Sequence, residues 1–475
     1  MGEDLKQTEF SRAHRREYRR KVQQCLDIFE TMLNQSSFEF ERPLTGMEIE
    51  CNLVDSAYQP AMTNQEVLEA IADPAYQTEL GAYNIEFNVP PRRLPGRAAL
   101  ELENDVRASL NAAEQKANDH DAHIVMVGIL PTLMPEHLSG RWMSESTRYQ
   151  ALNDSIFTAR GEDILIDITG PERLSLQTES IAPESACTSM QLHLQVSPAE
   201  FAQNWNAAQV LAGPQLALGA NSPYFFGHQL WSETRIELFM QATDTRPDEL
   251  KAQGVRPRVW FGERWITSIF DLFEENVRYF PSLLPELSDE DPADELAQGR
   301  TPRLAELRLH NGTIYRWNRP VYDVVDGRPH LRVENRVLPA GPTVVDMMAN
   351  AAFYYGTLRA LSEEDRPLWT KMSFAAAQHN FLESARNGMD ARLYWPGLGE
   401  VTPDELVLRA LLPMADEGLR RWQVAGEVRD RYLGVIEGRA KTGRNGSAWQ
   451  VATVKALQER GLSRPNALAE MLRLY

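Results

Sequence analysis

Gly46-Met47-Glu48-Ile49-Glu50-Cys51-Asn52-Leu53 alternates between apolar and polar side chains. A β-strand has a side-chain period of two, so Met47, Ile49, Cys51 and Leu53 fall on one face while Glu48 and Glu50 fall on the other. Three more stretches obey the same rule. Tyr83 to Val89 sets Glu86 opposite Ile85 and Phe87. Ser189 to Val196 sets Gln191 and His193 opposite Met190, Leu192 and Leu194. Leu331 to Leu338 does the same with Glu334. One such strand is ordinary; four imply a single sheet with an apolar back and a carboxylate-rich front. Crowded carboxylates repel one another unless protons or hard cations neutralise them, which makes a magnesium site the first hypothesis.

Outward from these strands, helical spacing predicts helices over 10–34, 63–72, 97–118 and 343–361. A helix capped by Ser197, with Pro198 in its first turn, is expected to run to about 218. Residues 262–279 read as helical and aromatic, and 281–303 as a surface excursion. Ile124 to Leu130 reads as a buried strand, as do 304–310 and 329–338. From 366 onward the chain reads as helical, broken near Pro396-Gly397, Pro403, Gly443 to Gly446 and Pro465. Strands early and helices late favour an α+β class over a doubly wound parallel sheet. The expected divisions are an N-terminal helical segment (1–40), a catalytic domain (41–365) and a helical C-terminal region (366–475) packed on it.

The 475 residues carry a formal net charge of −18, which excludes general nucleic-acid binding. The one basic cluster, Arg12 to Lys21, reads as a solvated helix face or a partner-binding one. No run approaches the ~18 apolar residues of a membrane span, and no apolar leader is visible at Met1. Three widely spaced cysteines (Cys25, Cys51, Cys187) argue against a disulfide framework and for a reducing cytoplasm. No GxxxxGK[ST], GxGxxG, HExxH or GxSxG is present, so any nucleotide would be held through metal ions and arginines.

In order and spacing the chain resembles the glutamate–cysteine ligases, among the glutamine-synthetase-like carboxylate–amine ligases. Gly46-Met47-Glu48-Ile49-Glu50 matches that family's G-x-E-x-E strand. Glu79 and Glu86 have the spacing of its next two acids, although the surroundings of Glu79 do not alternate cleanly. Gln191-Leu192-His193-Leu194-Gln195, Asn221-Ser222-Pro223, Thr234-Arg235 and Glu334-Asn335-Arg336 match the later pieces. The resemblance implies a curved, mostly antiparallel sheet forming a funnel, flanked by helices. It implies ATP and two or three Mg²⁺ ions (Mn²⁺ as a substitute), with Glu50, Glu79 and Glu86 holding one ion and Glu48, His193 and Glu334 another. It places Arg235 and Arg336 on the transferring phosphoryl group, and Gln191, Gln195 and Arg336 at the cofactor.

The implied reaction activates the γ-carboxylate of glutamate as an acyl phosphate and passes it to an amine, with cysteine the leading acceptor. Small molecules would then be the partners, with no nucleic acid and no membrane. Other amine, amino-acid or peptide acceptors stay open, as do a guanidino-kinase-like phosphotransfer and a nucleotide-binding homologue without activity. Singly, each residue also has a plainer reading. Glu48 and Glu50 suit the wet face of a strand, His193 a structural histidine, Arg235 an ordinary ion pair, and Cys51 and Cys187 packing.

Overall fold

The computed structural model describes residues 5, 10–41 and 43–475. Its centre is a seven-stranded, curled, wholly antiparallel sheet. The strands are β1 (Thr45–Val54), β2 (Tyr76–Thr78), β3 (Asn84–Arg92), β4 (His123–Val125), β5 (Met190–Val196), β6 (Asn318–Val325) and β7 (Arg328–Asn335). They lie in the order β6-β7-β5-β1-β3-β2, with β4 extending the far end of β1. The expected fold class is therefore the observed one.

The apolar faces bury as their alternation requires. Ile49, Cys51, Ile85, Met190, Leu192, Leu331 and Val333 are inaccessible to solvent. Helices Phe201–Gly219 and Val344–Ser362, both apolar nearly all round, cross behind the sheet. The Tyr355 hydroxyl donates to the carbonyls of Gly46 (3.1 Å) and His193 (3.0 Å) and so ties the second helix to β1 and β5. Gly46 faces His193 across the ladder, and a Cβ there would already touch the His193 Cβ at 3.4 Å.

The N-terminal helix and the C-terminal helix Gly426–Thr442 belong to the same core, while the last two helices, Gly446–Glu459 and Arg464–Leu474, build a smaller cluster with Tyr224. Arg12–Asn34 packs on Ala305–Gly312, with the Tyr18 hydroxyl donating to the Glu306 carbonyl at 2.9 Å. In the C-terminal region, Gly426–Thr442 is tied to Ala98–Asn118 through Glu103. That carboxylate accepts from Arg107 (2.9 Å), Arg431 (2.8 Å) and the Tyr432 hydroxyl (2.8 Å). Arg439 binds Asp346 (2.7 Å) and Asn350 (2.7 Å). No helix among the described residues is long and apolar enough to cross a membrane.

Several local expectations are corrected. Residues 304–310 are not a strand; Ala305–Gly312 is helical, and its buried positions 306, 307, 310 and 311 have helical spacing. The Ile124–Leu130 ladder stops at Val125, because the Val127 carbonyl turns to Asn52 and Gly128 pairs with Thr188 and Asn221 instead. The helix after Ser197 starts at Phe201, and Ser197 closes a turn onto Glu200 rather than capping. The 262–279 helix begins at Ile269, and 281–303 contains the short helix Pro292–Ala297. Gly399–Val401 and Leu393–Trp395 form a small hairpin inside the otherwise helical tail.

The Glu103 cluster makes a measurable link between the C-terminal helix Gly426–Thr442 and the helix Ala98–Asn118. Burial alone would raise its pKa, but Arg431, Tyr432 and Arg107 hold it at about 2. A depressed folded-state pKa contributes stability above the ordinary value of 4.5, and that contribution fades as pH falls towards 2. Glu103→Gln is expected to cost about 1–2 kcal/mol at pH 7 in urea unfolding. The gap from wild type should shrink below pH 4.5; a gap independent of pH would contradict the assignment.

Candidate active site

The register of the sheet gathers the polar front. Glu50 faces Glu86 across β1 and β3, Glu48 faces Gln191 across β1 and β5, and Glu334 faces His193 across β7 and β5. Glu79 follows directly after β2, whose Gln77 is paired with Glu86, and the turn into β3 returns it to the same place. Its lack of alternation is explained: it reaches the front from a turn, not from a strand. The glutamates and Gln191, but not His193, open onto a cavity of about 720 Å³, walled also by Tyr149, Glu184, Tyr315 and Trp317.

Two trios result. Glu50, Glu79 and Glu86 each offer an oxygen within 4.8 Å of the others, and Glu48, His193 and Glu334 offer ligand atoms within the same limit. Their electrostatics differ. Burial raises Glu50, with Arg336, the Ser189 N–H and the Gln191 amide (2.8 Å) opposing it. Burial and the neighbouring Glu86 and Glu50 push Glu79 far up. Burial with Glu48 and Glu50 carries Glu86 to about 7.

In the other trio burial is overridden. His193 holds Glu48 down at about 2, and Arg319 and Arg336 depress Glu334 further. One trio is thus starved of positive charge and the other supplied with it. The starved trio is a hard, all-oxygen donor set of the kind Mg²⁺ or Mn²⁺ takes, and it fits such an ion.

The second trio fits in its carboxylates. His193 Nε2 is buried without a well-directed hydrogen bond, 3.1 Å from Glu48 and 3.9 Å from Glu334. Its Nδ1 accepts from Arg332 Nε at 3.0 Å, so the ring proton sits on Nε2. Ligation through Nε2 requires the proton to leave and Arg332 to let go, since a metal-bound imidazole donates from its other nitrogen.

Arg336 stands between the trios, donating to Gln191 Oε1 (2.9 Å) and Glu334 Oε2 (3.4 Å) at the cavity wall. Arg235 also lines the cavity, but three of its N–H groups are engaged by the protein. Glu233 takes Nε at 2.9 Å, and the carbonyls of Arg336 and Val337 take the others. Arg235 thereby fixes the chain just beyond β7. Gln191 lines the cavity. Gln195 is not brought to it: its amide donates to the Glu39 carbonyl (2.7 Å) and accepts from the Leu44 N–H (3.0 Å), clamping the approach to β1.

Sequence reading missed Arg319, whose guanidinium grips both oxygens of Glu334. The signal was there. Asp326-Gly327 lies between β6 and β7, and both residues have positive φ (50° and 73°), the geometry of a tight hairpin turn. Folding 318–325 back over that turn sets Arg319 opposite Glu334. The buried Glu233 had no comparable signal.

Solved structures share this architecture. Glutamate–cysteine ligase from Francisella tularensis, in complex with AMP, superposes with a TM-score of 0.57 at 12% identity, over 92% of this chain and 89% of that one. A bifunctional glutathione synthetase from Pasteurella multocida gives 0.53 at 11% identity, over 95% of this chain and 54% of that one. At such identities the likeness is one of fold. No curated protein sequence matches the chain. By its family model the protein is a carboxylate–amine ligase. The chain belongs to glutamate–cysteine ligase family 2, whose model matches residues 44–465.

The starved trio yields a stability test. A carboxyl whose folded pKa is raised destabilises progressively as pH climbs past its ordinary 4.5. Glu79→Gln is expected to stabilise the protein in EDTA by about 1 kcal/mol at neutral pH, by relieving repulsion. The advantage should grow from pH 4.5 upward, and the variant should lose most of the further stabilisation that MgCl₂ gives wild type. A lower melting midpoint in EDTA would argue that Glu79 is structural.

Proposed function

We propose that the protein joins the γ-carboxylate of glutamate to an amine at the expense of ATP, with cysteine, which the family is named for, as the first acceptor to test. The observation that carries this reading is two trios whose five carboxylates face one cavity, with Arg336 between them. Ions held by Glu50, Glu79 and Glu86, and by Glu48 and Glu334 with His193, would neutralise phosphate and carboxylate oxygens that otherwise repel.

The chain's own groups do the rest. Arg336, fully charged beside Glu334, Glu50 and Glu48, is placed to hold the phosphoryl group as it passes from ATP to the γ-carboxylate. Gln191 and Glu334 fix its direction. Arg235, anchored by Glu233, holds the backbone from which Arg336 projects. The amine then attacks the acyl carbon, the C–N bond forms, and orthophosphate leaves. Catalysis is positioning and charge neutralisation in a walled cavity.

The test is phosphate release in the presence of ATP and MgCl₂. Release should require glutamate and an amine together, with the amide identified by mass spectrometry. Arg336→Met should lower kcat at least ~10²-fold, as for other preorganised charge-stabilising groups. Glu50→Ala should abolish turnover with the fold kept. Phosphate release that ignores glutamate, or a fully active Glu50→Ala, would overturn the reading.

A further inference from the structure

Asn221-Ser222-Pro223 does not line the cavity, and the mechanism leaves it unused. Its asparagine is inaccessible to solvent, and the segments 126–128, 340–341, 446–450 and Tyr475 converge on it. The side-chain amide donates to the Ala340 carbonyl (2.8 Å) and to the Tyr475 hydroxyl (2.6 Å). The side-chain oxygen accepts from Gln450 Nε2 (2.8 Å). The backbone carbonyl accepts from the same Gln450 amide (3.1 Å) and from the Gly128 N–H (3.3 Å). The Tyr475 hydroxyl donates onward to the Met126 carbonyl (2.8 Å). The fit is close: a Cβ on Gly446 would lie 2.1 Å from Asn221 Oδ1, and one on Gly341 would lie 2.9 Å from the Tyr475 hydroxyl.

From Asn221 the contacts run inward. Its N–H donates to Glu233 Oε2 (2.7 Å), and Ser222 Oγ accepts from the Arg235 N–H (3.3 Å). Glu233 Oε1 takes Arg235 Nε (2.9 Å), and Arg235 in turn donates to the carbonyls of Arg336 (3.4 Å) and Val337. Four hydrogen bonds in series therefore join the Tyr475 hydroxyl to the backbone of Arg336. The three residues between, Asn221, Glu233 and Arg235, are all buried. A buried polar group that loses its partner costs about 1–3 kcal/mol, so such a series resists rearrangement and fixes direction.

The outer end of the series belongs to a separate packing unit. Tyr475 follows the helix Arg464–Leu474 and packs on Trp449 of Gly446–Glu459 (ring centroids 5.8 Å apart). It lies beyond residues 44–465, which the family model matches. The two helices carry no residue of the cavity, yet through Asn221 they bear on the one arginine that adjoins both trios.

Resting on the ligase reading, we propose that Tyr475 is a positioning residue for phosphoryl transfer. Its hydroxyl orients Asn221, and Asn221 acts through Glu233 and Arg235 to set where the Arg336 guanidinium stands. Tyr475 touches no substrate. Its effect is on placement, to which a group that must meet a transferring phosphoryl is sensitive.

The test compares wild type, Tyr475→Phe, Arg336→Met and the double variant with ATP, MgCl₂, glutamate and cysteine. Tyr475→Phe keeps the ring and removes only the hydroxyl. It should lower kcat roughly three- to tenfold, the loss of one hydrogen bond, with the KM for ATP and glutamate unchanged. In the Arg336→Met background it should cost nothing further, because the group it places is gone. An unchanged kcat, or a fall of the same size in both backgrounds, overturns the proposal and leaves the hydroxyl a staple of the fold.

Hydrogen exchange reads the same series without turnover. The Asn221 N–H is held by Glu233 and the Arg336 N–H by the Trp317 carbonyl (2.8 Å). Both should exchange faster in Tyr475→Phe, while the helix Arg12–Asn34 exchanges as in wild type. Faster exchange confined to 446–475, or spread over the whole chain, overturns the proposal. A wild type that releases no glutamate-dependent phosphate sinks the ligase reading instead, and the exchange pattern still decides whether Tyr475 governs Arg336.

Discussion

Repulsion among carboxylates on one face of a sheet is the constraint around which this protein is built. A strand that buries Ile49 and Cys51 has no choice but to turn Glu48 and Glu50 the other way, and the antiparallel register then sets Glu50 against Glu86. The apolar back, clamped by the helices Phe201–Gly219 and Val344–Ser362, supplies the stability that keeps the acids together. The front is a strained surface held by a stable one, a common arrangement for sites whose charge is completed by a ligand.

The two halves of that front are not equivalent. Around Glu48 and Glu334 the protein supplies its own cations, Arg319, Arg332 and Arg336, and sets the Nε2 side of the His193 ring beside Glu48. Around Glu50, Glu79 and Glu86 it supplies mainly the reach of Arg336 and a few amide donors, and burial raises the pKa of all three carboxyls. A divalent ion gains more from the second environment, because there it relieves the cost of buried, mutually repelling carboxylates with fewer arginines to compete against. On the first side an ion must reorder partners that are already satisfied. The same argument explains why Arg235, which looks in sequence like a second phosphate-gripping arginine, is tied down by the buried Glu233. With Arg336 already adjoining both trios, a second guanidinium serves better by fixing the backbone of the first.

What was legible in the chain follows from period. Strands with one wet face announce themselves by alternation, so β1, β3, β5 and β7 and the acids on them could be read directly. Glu79 could be reached only through its spacing from Glu86, because it stands on a turn. Residues 304–310 misled because leucines at 304, 307 and 309 suit a strand or a helix in so short a run. The Tyr18 contact and the packing of Leu307 on the first helix decide for the helix, and both are tertiary. Gln195 shows the opposite limit. Period put it on the correct face, but period does not say how far along a strand the cavity extends, and Gln195 lies beyond it, committed to Glu39 and Leu44.

The residues no pattern revealed are the ones that finish the cavity's electrostatics. Arg148 comes from a helix, Glu184 from a turn and Tyr315 from a two-residue strand paired in parallel with Val259-Trp260. None shares a period with the acidic strands, so none could be assigned from spacing. The sheet thus encodes the part of the site that any ligand of this chemistry needs, the acids and Arg336, within strands whose alternation the fold itself enforces. The three wall residues lie outside those strands. These can change without disturbing the ladder, so the cavity wall is free to vary on a fixed acidic floor.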